Sequence, residues 1–100
     1  MSKPKKRWWN YVRRVLYDYP EMTGTSEWEA REQAAVCAAL DNLSTISWDG
    51  VMTRRIVEAV FFKKTHTIGG AAQLVHVSEM TARRRVNSFI VQVGRNLGFD

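Results

Sequence analysis

The sequence predicts an all-α protein of about five helices with a helix-turn-helix at its C-terminal end. Three observations predict it. Apolar residues recur at spacings of three and four in successive stretches. Clusters of β-branched residues are short and never alternate cleanly over a strand length. Ser, Asp, Gly and Pro stand between the periodic stretches, where helix caps and stops belong.

Residues 1–6 read as a flexible basic arm, because Pro4 and three lysines offer little to bury. A first amphipathic helix is expected from Arg7. Trp8, Tyr11, Val12, Val15 and Leu16 would share its apolar face, with Arg13 and Arg14 off it. It should stop by Tyr19, since Pro20 disfavours helix in the residue before it. Ser26 and Glu29 form a capping-box pattern: the serine accepts from the Glu29 N–H and the glutamate reaches back to Ser26. The alanine-rich helix that follows should run to about Asn42 and bury Trp28, Ala35, Val36, Ala39, Leu40 and Leu43. Ser44–Ser47 is a loop. Asp49 then caps a third helix over Gly50–Lys64, with Met52, Ile56, Val60 and Phe61 as its stripe and Lys63 and Lys64 at its negative end. Thr65 or Thr67 starts a short fourth helix through Val75. A last helix, N-capped by Ser78, runs from Glu79 to about Asn96, and Gly98 is placed as its stop.

The chain has 100 residues, one ordinary domain, expected to span 7–100 after the arm. With 45% hydrophobic and 25% charged residues, wholesale disorder is excluded. Cys37 is the only cysteine, so no internal disulfide or Cys-rich zinc site exists. His66 and His76 have no second ligand pair beside them, and there is no phosphate loop or Ser/His/Asp set. The expectation is therefore no cofactor, no metal and no catalysis. Apolar runs fall short of a membrane span and no signal peptide is legible, so a cytoplasmic location is expected.

The net charge of +5 hides a pattern. Residues 1–14 carry six basic groups and no acid, residues 15–50 carry seven acids against Arg31 alone, and residues 51–100 carry eight basic groups against three acids. A basic C-terminal half suits nucleic acid, and the acidic middle would be repelled by phosphate.

The stretch 67–96 has the shape of a helix-turn-helix. Gly70, Ala71 and Ala72 are small where the two helices must approach, and Val75 and Val77 flank a short turn. Ala82, Val86, Phe89, Ile90 and Val93 would bury one face of the second helix. The exposed N-terminal positions are Glu79, Met80, Arg83, Arg84 and Asn87, which in a docked motif face base edges in the major groove. An Arg fork matches guanine, Asn matches adenine, and Glu79 could accept from cytosine or simply stabilise the helix N-terminus. Thr67, Ser78, Thr81, Arg85, Lys63 and Lys64 suit phosphate contacts. Many such motifs place Gly in the turn, where this chain has His76, a residue that tolerates positive φ better than most. An ordinary helical hairpin with a solvated Arg face is the competing reading. Lys3, Lys5, Lys6 and Arg7 could track phosphates or be a solvated tail. Trp8 and Trp9 could stack on bases, or pack one in the core and one at a contact.

From about Trp48 to Phe99 the chain resembles small phage-encoded transcriptional regulators of the ArpU and RinA type, which are similar in turn to the region-4 helix-turn-helix of sigma factors. Arg54-Arg55-Ile56, Phe61-Phe62, Thr67-Ile68, Ala71-Ala72, Val77-Ser78, Thr81 and Gly94-Arg95-Asn96-Leu97-Gly98 carry the resemblance. Trp9, Tyr11-Val12 and Tyr19-Pro20 extend it. It implies a regulator of late phage genes acting in a bacterial host cell at the nucleoid, with double-stranded DNA and RNA polymerase as partners. A homodimer is expected because one helix reads few base pairs. The alternatives are a small terminase-like DNA adaptor for packaging and a helical protein-interaction module.

Overall fold

The computed structural model describes residues 7–99, whose regular structure is all helical, with no strand among those residues. Five α-helices follow in order: α1 (Trp9–Asp18), α2 (Glu27–Asp41), α3 (Trp48–Val57), α4 (Ile68–Leu74) and α5 (Glu79–Asn96). The arm residues Lys3, Lys5 and Lys6 lie outside the described range, and Arg7 is exposed in a turn before α1.

α5 is the central element, packed by α1, α2, α3 and α4. Its buried face is the expected one: Ala82, Val86, Phe89, Ile90 and Val93. Opposite it come Val12 and Leu16 of α1, Val36 of α2, and Met52 and Ile56 of α3, all nearly inaccessible to solvent. Burying side chains of this size contributes roughly 1.5–3 kcal/mol each before entropy is counted. Asn96 donates from its Nδ2 to the Ala35 carbonyl at 3.0 Å, tying the end of α5 to α2. The Trp8 ring lies across Gly94 so closely that a Cβ there would sit 2.6 Å from it. The same ring stacks on Phe99 at 5.6 Å. Trp9 is the fully packed tryptophan of the pair and Trp8 the half-buried one.

Several local expectations are corrected. The first helix starts at Trp9 rather than Arg7, and Pro20 sits inside a single 3-10 turn, Tyr19–Glu21, that follows α1. Trp28 is 52% exposed, not buried. It occupies the first turn of α2, where the Tyr11 ring at 6.5 Å and the Arg31 guanidinium at 5.3 Å cover its faces and the core does not reach. The capping box is half present. Ser26 Oγ accepts from Glu29 N at 3.0 Å, but the Glu29 carboxylate turns outward to Gly24 N (2.8 Å), Thr23 N (3.0 Å) and Thr23 Oγ1 (3.1 Å). These donors hold its carboxyl below the usual carboxylate range, the backbone bonds from Gly24 and Thr23 being the main causes. Tyr11 donates to Glu32; burial first, and then that bond, push its phenol well above its usual range.

The third helix begins at Trp48, and its cap is Ser47, whose side chain accepts from Gly50 N; Asp49 lies inside the first turn. A Cβ on Gly50 would fall 2.2 Å from the Ser44 carbonyl oxygen, so only glycine lets α3 press this closely on the preceding loop. The Arg54 guanidinium reaches back to the Leu40 carbonyl at 3.0 Å and satisfies the open end of α2. α3 does not continue regularly to Lys64. It widens into a π turn over Glu58–Phe62, with Lys63 N donating to Glu58 O at 2.7 Å. The wide turn sends two consecutive rings to α1 and the turn after it: Phe61 meets Tyr17 at 5.0 Å and Phe62 meets Tyr19 at 5.1 Å. Lys64 then reverses the chain with φ +56.

Candidate nucleic-acid interface

α4 and α5 form the helix-turn-helix pair. Thr67 caps α4, its hydroxyl accepting from Gly70 N at 3.1 Å. Ala71 and Ala72 are the small residues pressed into the core. Gly70 lies beside His66 and Thr67 instead of meeting α5, and it is Gly69 that faces the second helix, with Glu79 Oε1 2.7 Å from where its Cβ would be. His76 turns the chain with φ +61, the left-handed geometry that glycine supplies in many such turns. Val77 N returns to Ala72 O at 3.0 Å, His76 N donates to Gln73 O at 3.2 Å and Val75 is buried, so the turn is anchored by apolar packing and backbone bonds. Ser78 caps α5, accepting from Thr81 N at 3.1 Å and donating its hydroxyl proton to Thr81 Oγ1 at 3.0 Å.

Three consecutive arginines on α5 leave the helix in three directions. Arg83 turns toward α4. Its Nη2 and Nε donate to the same Glu79 oxygen at 2.7 and 3.0 Å, one helical turn back. Arg85 turns to the opposite flank and pairs with Asp49 at the start of α3, at 3.0 Å. Arg84 points between them. It shares the outer face with Asn87, Ser88 and Arg95, which border one shallow surface groove. Successive positions on an α-helix are about 100° apart, so three adjacent side chains cannot share a face.

The eleven α5 and flanking residues singled out by sequence thus divide. Met80, 70% exposed, together with Arg84 and Asn87 forms the outward group, and neither Arg84 nor Asn87 makes a side-chain hydrogen bond or ion pair among the described residues. Glu79 and Arg83 are coupled to each other on the α4 side. Arg85 is occupied by Asp49. Ser78 and Thr67 act as helix caps, and Thr81 is half-buried beside Ser78. Lys63 and Lys64 are exposed at the end of the π turn, Lys63 beside Leu74 of α4 and Lys64 on the side of Arg83. Sequence reasoning had no place for Arg13 in this region. It projects from α1 with its guanidinium 5.7 Å from the Phe61 ring and borders the same depression as Lys64, Thr67 and Arg83. The signal available was only that Arg13 lies off the apolar face of its helix.

No group of three His, Cys, Asp or Glu side chains gathers as a metal site among the described residues, and no described helix is long and apolar enough to cross a membrane.

Among the described residues these features define an all-α domain of five α-helices with a helix-turn-helix pair whose second helix shows a basic outer face. The chain matches no family model, no curated protein and no solved structure.

Proposed function

We propose that this chain binds double-stranded DNA and regulates transcription, as the phage regulators it resembles would. The observation that carries the proposal is the outward N-terminal face of α5. Met80, Arg84 and Asn87 stand together there, exposed, while the polar residues on either flank already have intramolecular partners. A guanidinium and an amide on one helix face, without side-chain partners among the described residues, match the acceptor and donor edges of guanine and adenine, and a neighbouring thioether suits a thymine methyl group. α5 is also held by four other helices, which gives such a face the rigidity that base reading requires.

In this reading Arg84 and Asn87 read bases, Met80 makes apolar contact, and the hydroxyls of Thr67, Ser78 and Thr81 with Lys63 and Lys64 approach phosphates. Asp49 reduces what Arg85 can offer to a phosphate by holding it in an ion pair. One α5 reads few base pairs, so the proposal includes two copies on a symmetric site, and recruitment of RNA polymerase as the route to regulation. The test is selection of bound duplexes from a random pool, followed by salt titration on the winner. A defined consensus is expected, palindromic for a dimer. With about five phosphates neutralised, the log–log salt slope should be near −4.5. No consensus and a flat salt response would end the proposal.

A further inference from the structure

The depression beside α5 is a candidate binding site in its own right. It measures about 460 Å3 and lies between α1, the end of the π turn, α4 and the first turn of α5. Three cations border it: Arg13, Lys64 and Arg83, each from a different helix or turn. Glu79 is the one acid among its described lining residues. Thr67 adds a hydroxyl whose oxygen already accepts from Gly70, leaving its proton to donate.

Each cation is held by something other than a counter-charge from a distant segment. Arg13 rests over the Phe61 ring, an attraction between guanidinium and π face that fixes its direction while leaving its donors open. Lys64 is set by a backbone in the left-handed region, at a residue type that does not favour it. Arg83 is clasped by Glu79, whose second oxygen drops over Gly69, a position where a Cβ would collide with it. Glu79 is thereby turned along the helix toward α4 and away from the outward face of Met80, Arg84 and Asn87.

We propose that this depression seats a phosphodiester of the DNA strand bordering the groove that α5 enters, with Arg13, Lys64 and Arg83 as its donors and Glu79 as the group that restrains them. The proposal rests on the DNA-binding reading above and extends it. It makes α1 part of the interface, moves Arg83 from base reading to backbone clamping, and makes Glu79 an opponent of binding instead of a cytosine reader. A recognition helix fills most of a major groove about 12 Å wide, so a strand passes along each flank, and a clamp on one flank sets the angle at which α5 enters. A carboxylate within the clamp weakens phosphate binding by Coulomb repulsion, and this lowers affinity for every sequence alike.

The experiment measures salt-dependent binding of the full chain to its selected duplex and to a scrambled one. Arg13→Gln and Lys64→Gly should each weaken both duplexes by roughly threefold to tenfold and make the salt slope shallower by about one, with base preference unchanged. Lys64→Gly suits the positive φ, so its fold is preserved even where Arg13→Gln loses packing on Phe61. Glu79→Gln should tighten both duplexes, by roughly twofold to fivefold. If Arg84→Ala loses base preference while Arg13→Gln and Lys64→Gly leave the slope unchanged, the clamp is wrong and the DNA reading stands. A Glu79→Gln protein that binds more weakly and prefers a different base would return Glu79 to base reading and overturn its assigned role. Absence of any salt-dependent duplex binding by the parent chain would remove the DNA reading and the clamp together.

Discussion

α2 and α5 begin alike and end up serving different purposes. Each opens on a serine whose hydroxyl accepts from the N–H three residues on, at 3.0 Å for Ser26 and 3.1 Å for Ser78. Each places a large apolar residue, Trp28 or Met80, exposed in its first turn. Each sends a stripe into one shared core. They part on the outer face. α2 shows Ala30, Ala34, Cys37 and Ala38 with acids at its ends, and its Arg31 is spent on the Trp28 ring. α5 shows Arg84 and Asn87 with no side-chain partner among the described residues. Capping and core patterning therefore say how a helix is held, and the outer face alone says what it is for.

The common core is the strongest point of likeness and gives the largest expected effect. Ile90→Ala on α5 should lower stability by about 2–5 kcal/mol, and Val36→Ala on α2 should also lower it, by less because fewer buried methyl groups are removed. Urea unfolding of both variants measures this. A silent Val36→Ala would show that α2 is only loosely docked on α5.

Function should separate the two helices. Arg84→Ala should cost about 1–3 kcal/mol of duplex affinity and relax one base position, with little change in stability. Arg31→Ala should leave duplex binding unchanged. Equal loss from both arginines would indicate a diffuse charge effect, and the face of α5 would lose its special status.

The caps come next. Ser26→Ala and Ser78→Ala should each lower stability by about 1 kcal/mol, because each removes the acceptor for one helical N–H. Only Ser78→Ala should also weaken DNA binding at temperatures where the fold is intact.

The smallest effect concerns Glu29, which has no equivalent on α5. Its folded carboxyl titrates lower than in the unfolded chain, so its contribution is fully present above the usual carboxylate range and is lost as pH falls through the folded value. Glu29→Gln should lower stability slightly at neutral pH and converge on the parent as pH falls through the folded value, which flattens the acid side of the profile. Thermal melts between pH 2 and 7, about the window set by an ordinary glutamate value near 4.3, measure it. A mutant with the parent's acid profile would mean that the Thr23 and Gly24 bonds contribute nothing.

Much of this fold is legible in residue order. The buried stripes of α3 and α5, the Ser26, Thr67 and Ser78 caps and the turn at His76 all follow from short-range rules, because helical period and capping act within four residues. Trp28 was misplaced because its pattern position says only that it can face the core, and the first turn of α2 projects past it. The π turn was invisible for a similar reason. Its wide hydrogen bond exists so that Phe61 and Phe62 can both reach residues more than forty positions earlier in the chain. In the candidate site, the exposed N-terminal half of α5 could be read, but the roles of its charged groups could not.

The sequence by itself determined an all-helical chain, the place of the helix-turn-helix, and a basic helix at its end. Only the tertiary structure decided which way each arginine of the 83–85 run faces. Arg85 goes to Asp49, thirty-six positions away, and Arg13 joins Arg83 from the first helix, seventy positions earlier. Periodicity sets the angle at which a side chain leaves its helix. Which charge waits at that angle depends on how distant segments pack, and no local pattern encodes it.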